Sequence, residues 1–246
     1  MLEKEVLEAE RLAAVGQTVA GLAHSIKNIL MGLEGGKYIV SVGLKKDDKE
    51  MIAQGWEMLE RNFEKTTSLV KDFLSFAKGR LPEVQSIDPN DLVMEIIELY
   101  KEIAKKSGID LRAELDNTIK KTPLDPKGIH TCLTNLVSNA LDACEMSDKN
   151  DRFVCIKTKE EKGMLIFEVT DNGCGMDCDI KRKIFTTFFT TKGGGGTGLG
   201  LLTTRKIIQE HGGKIIVHSK KGEGAHFRIE LPRRRLKSLL HKEEEQ

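Results

Sequence analysis

Apolar residues in the first third of the chain recur at Leu12, Val15, Val19, Leu22, Ile26, Ile29 and Leu33, in alternating steps of three and four. That spacing is a heptad seam rather than a broad amphipathic face. A second seam runs through Ile52, Trp56, Leu59, Phe63, Thr66, Val70, Phe73 and Ala77 with the same alternation. Gly43 and the charged stretch 45–49 supply a turn between them. Two helices joined so briefly must return antiparallel. A lone hairpin leaves such long seams partly uncovered, so residues 1–80 are expected to form a homodimer, a four-helix bundle built from two copies. An antiparallel pair within one chain is the alternative.

The pattern changes at Leu81-Pro82, which ends the second helix and opens a linker over 81–87. Asp88-Pro89 starts a new helix, with Asp88 as N-cap and Pro89 at its first position. Further helices are expected from Pro126 to about Glu145 and from Leu201 to Glu210, the latter stopped by His211-Gly212-Gly213. Strands are expected over 109–115, 152–158, 164–170, 214–219 and 226–231. Asp171 to Gly200 reads as irregular and glycine-rich. The fold class is therefore α+β. A helical hairpin precedes a two-layer α/β sandwich over 88–235, and a charged tail follows over 236–246.

The formal charge of +1 implies no general attraction to nucleic acid or to an anionic membrane. No apolar run approaches the roughly 18 residues a membrane span needs, so no membrane contact is expected of this segment. Five cysteines without paired metal-ligand spacing read as reduced thiols, which suits a cytoplasmic location. The chain opens inside a helical pattern, as the output end of a longer protein would.

Candidate chemistry begins on the helix from Pro126. Beside its apolar stripe of Ile129, Leu133, Leu136, Ala140 and Ala143 lies a polar stripe of Asn135, Asn139 and Asp142. Carboxamide oxygens suit a Mg²⁺ ion already neutralised by phosphate oxygens. Ordinary exposed helix residues fit the stripe equally well. Asp171 breaks the tie. Strand parity puts it on the apolar side with Leu165, Phe167 and Val169, and a carboxylate there needs a donor. The exocyclic amine of adenine supplies one, with Gly173 and Gly175 leaving room for a ring. A plain Asp-Asn-Gly turn is the bland reading.

The glycine run 193–200 precedes a helix, whose free amides and dipole receive phosphates. It is not a P-loop, because no Gly-Lys-Ser/Thr ends it. A mobile lid from about Asn172 to Thr197 that orders over ATP is the expectation. Lys192, at its base, either contacts a phosphate or stays solvated.

The order of these segments resembles the ATP-binding domain shared by sensor histidine kinases, Hsp90-type chaperones, type II topoisomerases and MutL proteins. Asn135 to Ala140 looks like the N box and Asp171 to Met176 the first glycine box. Ile184 to Lys192 looks like the F box and Gly194 to Gly200 the second glycine box. The resemblance implies that Asn139 and Asn135 serve Mg²⁺, that Asp171 binds adenine, and that Gly196, Thr197, Gly198, Leu199 and Gly200 form the phosphate lid.

Upstream, Ala-Gly-Leu-Ala-His24-Ser25-Ile-Lys-Asn28 is similar to the H box of dimerising histidine phosphotransfer domains. His24 falls midway between seam positions Leu22 and Ile26, so it projects from the bundle axis. His130, His211, His218, His226 and His241 read as surface residues without a role. The resemblance to sensor histidine kinases implies transfer of the γ-phosphoryl group of ATP to His24, then to an aspartate on a response-regulator receiver domain. Asn28 would orient water for receiver dephosphorylation.

Three positions depart from the family pattern. Ser25 stands where an acidic general base is usual, and a hydroxyl cannot take a proton near neutral pH. Ile29 stands where many relatives have proline. Ala225 replaces a hydroxyl residue often found after Gly224. A dimeric ATP-binding scaffold, or a phosphatase-biased kinase with weak autokinase activity, is the alternative function.

Overall fold

The computed structural model describes residues 23, 26–77, 82–186 and 198–236. The chain divides into two compact units, one built on the N-terminal helices and one on a β-sheet.

In the first unit, α1 covers residues 26–46 and α2 covers Lys49–Ala77. Asp48 starts α2, its Oδ1 accepting the Met51 N–H at 3.0 Å. The helices run antiparallel, because Gly32, Gly36 and Gly43 of α1 meet Asn62, Leu59 and Ile52 of α2 in reverse order.

These contacts are close. A Cβ at Gly32 would lie 2.3 Å from Asn62 Oδ1, and one at Gly55 would lie 2.7 Å from Val40 Cγ2. The buried stripe of α2 is Gly55, Asn62 and Leu69, a heptad repeat displaced by one residue from part of the expected seam. Trp56, Phe63 and Val70 turn out of the hairpin, with Trp56 63% and Phe63 69% exposed. The space left by the α1 glycines is taken by Ile52, Leu59 and Asn62 of α2, while Trp56, Phe63 and Val70 flank that contact.

Gly32→Ala is expected to destabilise the hairpin. The added methyl meets a buried carboxamide, an overpacking cost of about 1–3 kcal/mol set against at most about 1 kcal/mol of gained helix propensity. Thermal melting checks this, and Asn62→Ala added to Gly32→Ala should recover part of the loss. A single variant melting above the wild type would contradict the close contact.

The second unit begins with β1 (Gln85–Ile87) and α3 (Pro89–Lys106), followed by β2 (Asp110–Glu114), β3 (Thr122–Leu124) and α4 (Pro126–Glu145). After them come β4 (Phe153–Glu161), β5 (Met164–Asp171), α5 (Cys178–Lys183), α6 (Gly200–Glu210), β6 (Lys214–Lys220) and β7 (Gly224–Pro232). The sheet order is β2-β4-β5-β7-β6. Only β2 and β4 pair in parallel, so the sheet is mixed. The helical pair and the α+β sandwich have the expected architecture.

Asp88 caps α3 through the Asn90 N–H at 2.9 Å, with Pro89 at its first turn. Val93 and Ile96 of α3 and Ile129, Leu133, Leu136 and Val137 of α4 are fully buried with Ile156, Phe167, Val169 and Ile229 of the sheet. At roughly 25 cal/mol per Å² of apolar surface, this burial is the main force holding the layers together.

Three elements differ from expectation. The stretch 81–87 contains β1, which pairs antiparallel with β3. Residues 171–200 include the short helix α5, whose Ile180 N–H is capped by Asp177 Oδ1 at 2.8 Å. His211 is not a surface residue: it is 1% exposed, its Nδ1 donates to the Ile207 carbonyl at 2.8 Å, and its Nε2 accepts the Asp125 N–H at 3.1 Å. A neutral imidazole with both nitrogens engaged ties the end of α6 to the start of α4. His211→Ala leaves a buried amide unpaired and is expected to cost about 1–3 kcal/mol in denaturant unfolding.

Candidate nucleotide site

The sheet unit holds a fixed carboxylate at the end of β5. Asp171 lies between Val154 of β4 and Ala225 of β7 and is 4% exposed. Its Oδ1 accepts two backbone N–H groups, from Gly173 at 2.9 Å and Ala225 at 3.2 Å. Oδ2 has no hydrogen-bond partner among the described residues. Burial raises the carboxyl pKa to about 6, against the opposing effect of the two amides and Lys149. The site therefore presents one rigid acceptor oxygen in poorly solvated surroundings.

The turn after Asp171 is clamped on both sides. Cys174 N–H donates to the Ala143 carbonyl of α4 at 2.9 Å, and Gly222 N–H donates to the Cys174 carbonyl at 2.7 Å. Ser219 Oγ accepts the Met176 N–H at 2.9 Å and donates to the Gly224 carbonyl at 2.7 Å.

The clamp requires glycine at both positions 173 and 175. A Cβ at Gly173 would lie 2.4 Å from the Ala143 carbonyl carbon. At Gly175 (φ +61°) it would lie 2.0 Å from the Lys220 carbonyl oxygen. Asn172, unremarked in the sequence beyond its turn propensity, is a staple. Its Oδ1 accepts the Phe153 N–H at 2.8 Å and its Nδ2 donates to the Asp151 carbonyl at 2.7 Å. Ala225 supports Asp171 through its backbone, so the side-chain change at 225 leaves that bond intact.

On α4, Asn135, Asn139 and Asp142 are half-buried on one stripe. Asn135 Nδ2 donates to Thr204 Oγ1 of α6 at 3.3 Å. Among the described residues no group of three His, Cys, Asp or Glu side chains is placed to hold a metal. Neutral carboxamides fit a cation that arrives with its own phosphate ligands, so the residues present are compatible with Mg²⁺ carried on a polyphosphate.

Of the expected lid, Gly198 has a φ of +69°, Leu199 is fully buried, and α6 begins at Gly200. Lys192, Gly196 and Thr197 lie outside the described residues, as do His24 and Ser25. Asn28 is exposed on α1. A single lid from Asn172 onward is not what the structure has, because residues 172–176 form the clamped turn and α5 follows. Asp177 ahead of a short polar run was the available signal for that helix.

Residues 124–235 match the family described as histidine kinase-, DNA gyrase B- and HSP90-like ATPase. The nucleotide-free catalytic domain of histidine kinase ThkA is 35% identical, covering 61% of this chain and 96% of that one, with a TM-score of 0.55. This chain belongs to the two-component histidine kinases. ThkA in complex with response regulator protein TrrA matches over 94% of this chain and 66% of that one, at 30% identity and a TM-score of 0.75. The signal transduction histidine-protein kinase AtoS of Escherichia coli K12 is 32% identical over 94% of this chain. The alignment takes in 37% of AtoS, so the chain spans well under half the length of that relative.

Proposed function

We propose that this chain is a kinase core that phosphorylates its own His24 from Mg-ATP and passes the phosphoryl group to a receiver aspartate. The observation that carries this reading is the free Oδ2 of Asp171, a fixed acceptor for the adenine amine, in a unit of the ATPase family. The H-box pattern around His24 and the helical hairpin select phosphotransfer over the other reactions of that family.

In this reading an imidazole nitrogen of His24 attacks the γ-phosphorus while the bond to the β–γ bridging oxygen breaks. ADP leaves, and the displaced imidazole proton goes to solvent. Asn139 and Asn135 would hold Mg²⁺, which neutralises phosphate charge. Asn28, exposed on α1, orients water for receiver dephosphorylation.

Peptide mapping after incubation with Mg-ATP tests the proposal. Phosphate is expected on the His24 peptide and then on an aspartate of an added receiver domain. ATP consumption without that phosphopeptide would overturn it.

We infer further that the protein is a homodimer through its N-terminal helices. Trp56, Phe63 and Val70, with Ile26 and Leu30, leave apolar side chains of both helices in water within one copy. A second copy covers them in a four-helix bundle. Phe63→Asp is expected to yield monomers in light scattering, and an unchanged mass would reject this interface. No helix among the described residues is long and apolar enough to cross a membrane. All five cysteines are unpaired, which suits a cytoplasmic site of action.

A further inference from the structure

The loop between α4 and β4 wraps around the residue that follows Asp171. Lys149 donates its Nζ to the Asn172 carbonyl at 2.8 Å, while Asp151 and Phe153 hold the Asn172 carboxamide. Lys149 is itself placed by its N–H, which donates to Ser147 Oγ at 3.3 Å. It is half-buried, unlike a lysine whose head floats in water. Its ammonium is thus fixed one residue from the carboxylate and bears on it electrostatically.

The other groups facing Asp171 bring no positive charge. The β5–α5 turn and β7 contribute the Gly173 and Ala225 amides. The end of α4 and the turn contribute the Cys144 and Cys174 thiols, which burial keeps protonated. Lys149 is therefore the cation acting on this carboxylate among the described residues.

We propose that Lys149 is a positioning residue for nucleotide recognition: seated on the Asn172 carbonyl, it keeps Asp171 ionised and extends adenine binding to lower pH. The proposal rests on the adenine role given to Asp171 above. With Oδ1 accepting two N–H groups, protonation falls on Oδ2 and turns the open oxygen into a donor, the wrong partner for an amine, and burial favours that protonation. A lysine placed on the neighbouring carbonyl offsets the burial without occupying Oδ2, which stays open to ligand. A direct ion pair would block it.

The test uses the full chain as wild type, Lys149→Met and Lys149→Arg. ATP affinity is measured by calorimetry from pH 5 to 8, and the Asp171 carboxyl is titrated by carbon-13 NMR without nucleotide. For Lys149→Met both midpoints are expected to move up by roughly half a pH unit to one unit, less than a direct ion pair gives. Affinity at pH 8 should change little, and Lys149→Arg should restore the wild-type midpoints.

A merely structural staple predicts something else: lowered affinity at every pH with unmoved midpoints, and that result overturns the proposal. If the wild type binds no adenine nucleotide at any pH, the adenine role of Asp171 fails. The NMR midpoints then still decide what Lys149 does: an unmoved midpoint rejects the electrostatic role, and a moved one upholds it.

Discussion

Asp171→Asn is expected to weaken ATP binding by about one to two orders of magnitude at pH 8. A hydrogen bond to a charged acceptor contributes about 1.5–3 kcal/mol, and the substitution puts an amide into the position that must accept from adenine. The deficit should shrink below pH 6, where the wild-type carboxyl is itself becoming protonated.

Stability should move the other way. The folded carboxyl titrates near 6 and the reference value is 3.8, so the folded state binds that proton more tightly. The associated stabilisation is complete below about pH 4 and is lost as pH rises through about 6. Above pH 6 the nucleotide-free wild type therefore carries a buried charge that the variant lacks. Asp171→Asn should melt higher there, by an amount corresponding to about 1–3 kcal/mol. Higher stability with lost affinity marks a residue kept for its ligand. Unchanged ATP affinity in the variant would remove Asp171 from the adenine site.

The second large effect is expected at Ser25. General bases contribute about 10²–10⁴ in rate, and the hydroxyl beside His24 cannot act as one at neutral pH. Ser25→Glu should raise the initial rate of phosphohistidine formation by about a hundredfold. ATP affinity should stay unchanged, since the substitution lies on the helical unit. Equal initial rates would mean that another group, or water alone, takes the imidazole proton.

How much could be read from the residues depended on the range of the interaction involved. Strand parity placed Asp171 on the buried face because Leu165, Phe167 and Val169 fix the register over several residues. Helix α4 was legible to its ends, since Pro126 starts it and its apolar stripe runs throughout. The seam of α2 was legible as helix but not as to which side faces α1. Apolar spacing counts Trp56 and Phe63 and overlooks Gly32, Gly36 and Gly55, whose contribution is to let backbones approach.

Strands β1 and β3 have three residues each and find each other across α3 and β2, so nothing local announces the pairing. Asn172 was visible only as a turn former. Its contacts reach back about twenty positions to Asp151 and Phe153, and such long-range satisfaction of backbone groups leaves no periodic trace. The burial of His211 leaves no local trace for the same reason: its partner, the Asp125 amide, lies 86 positions earlier.

The most direct test follows the γ-phosphate itself. Wild-type protein, His24→Ala and Asp171→Asn are incubated with γ-labelled ATP and Mg²⁺, and bound label is assayed in acid and in alkali. Alkali-stable, acid-labile label is expected on the wild type, none on His24→Ala and strongly reduced label on Asp171→Asn. Equal labelling of all three would contradict it.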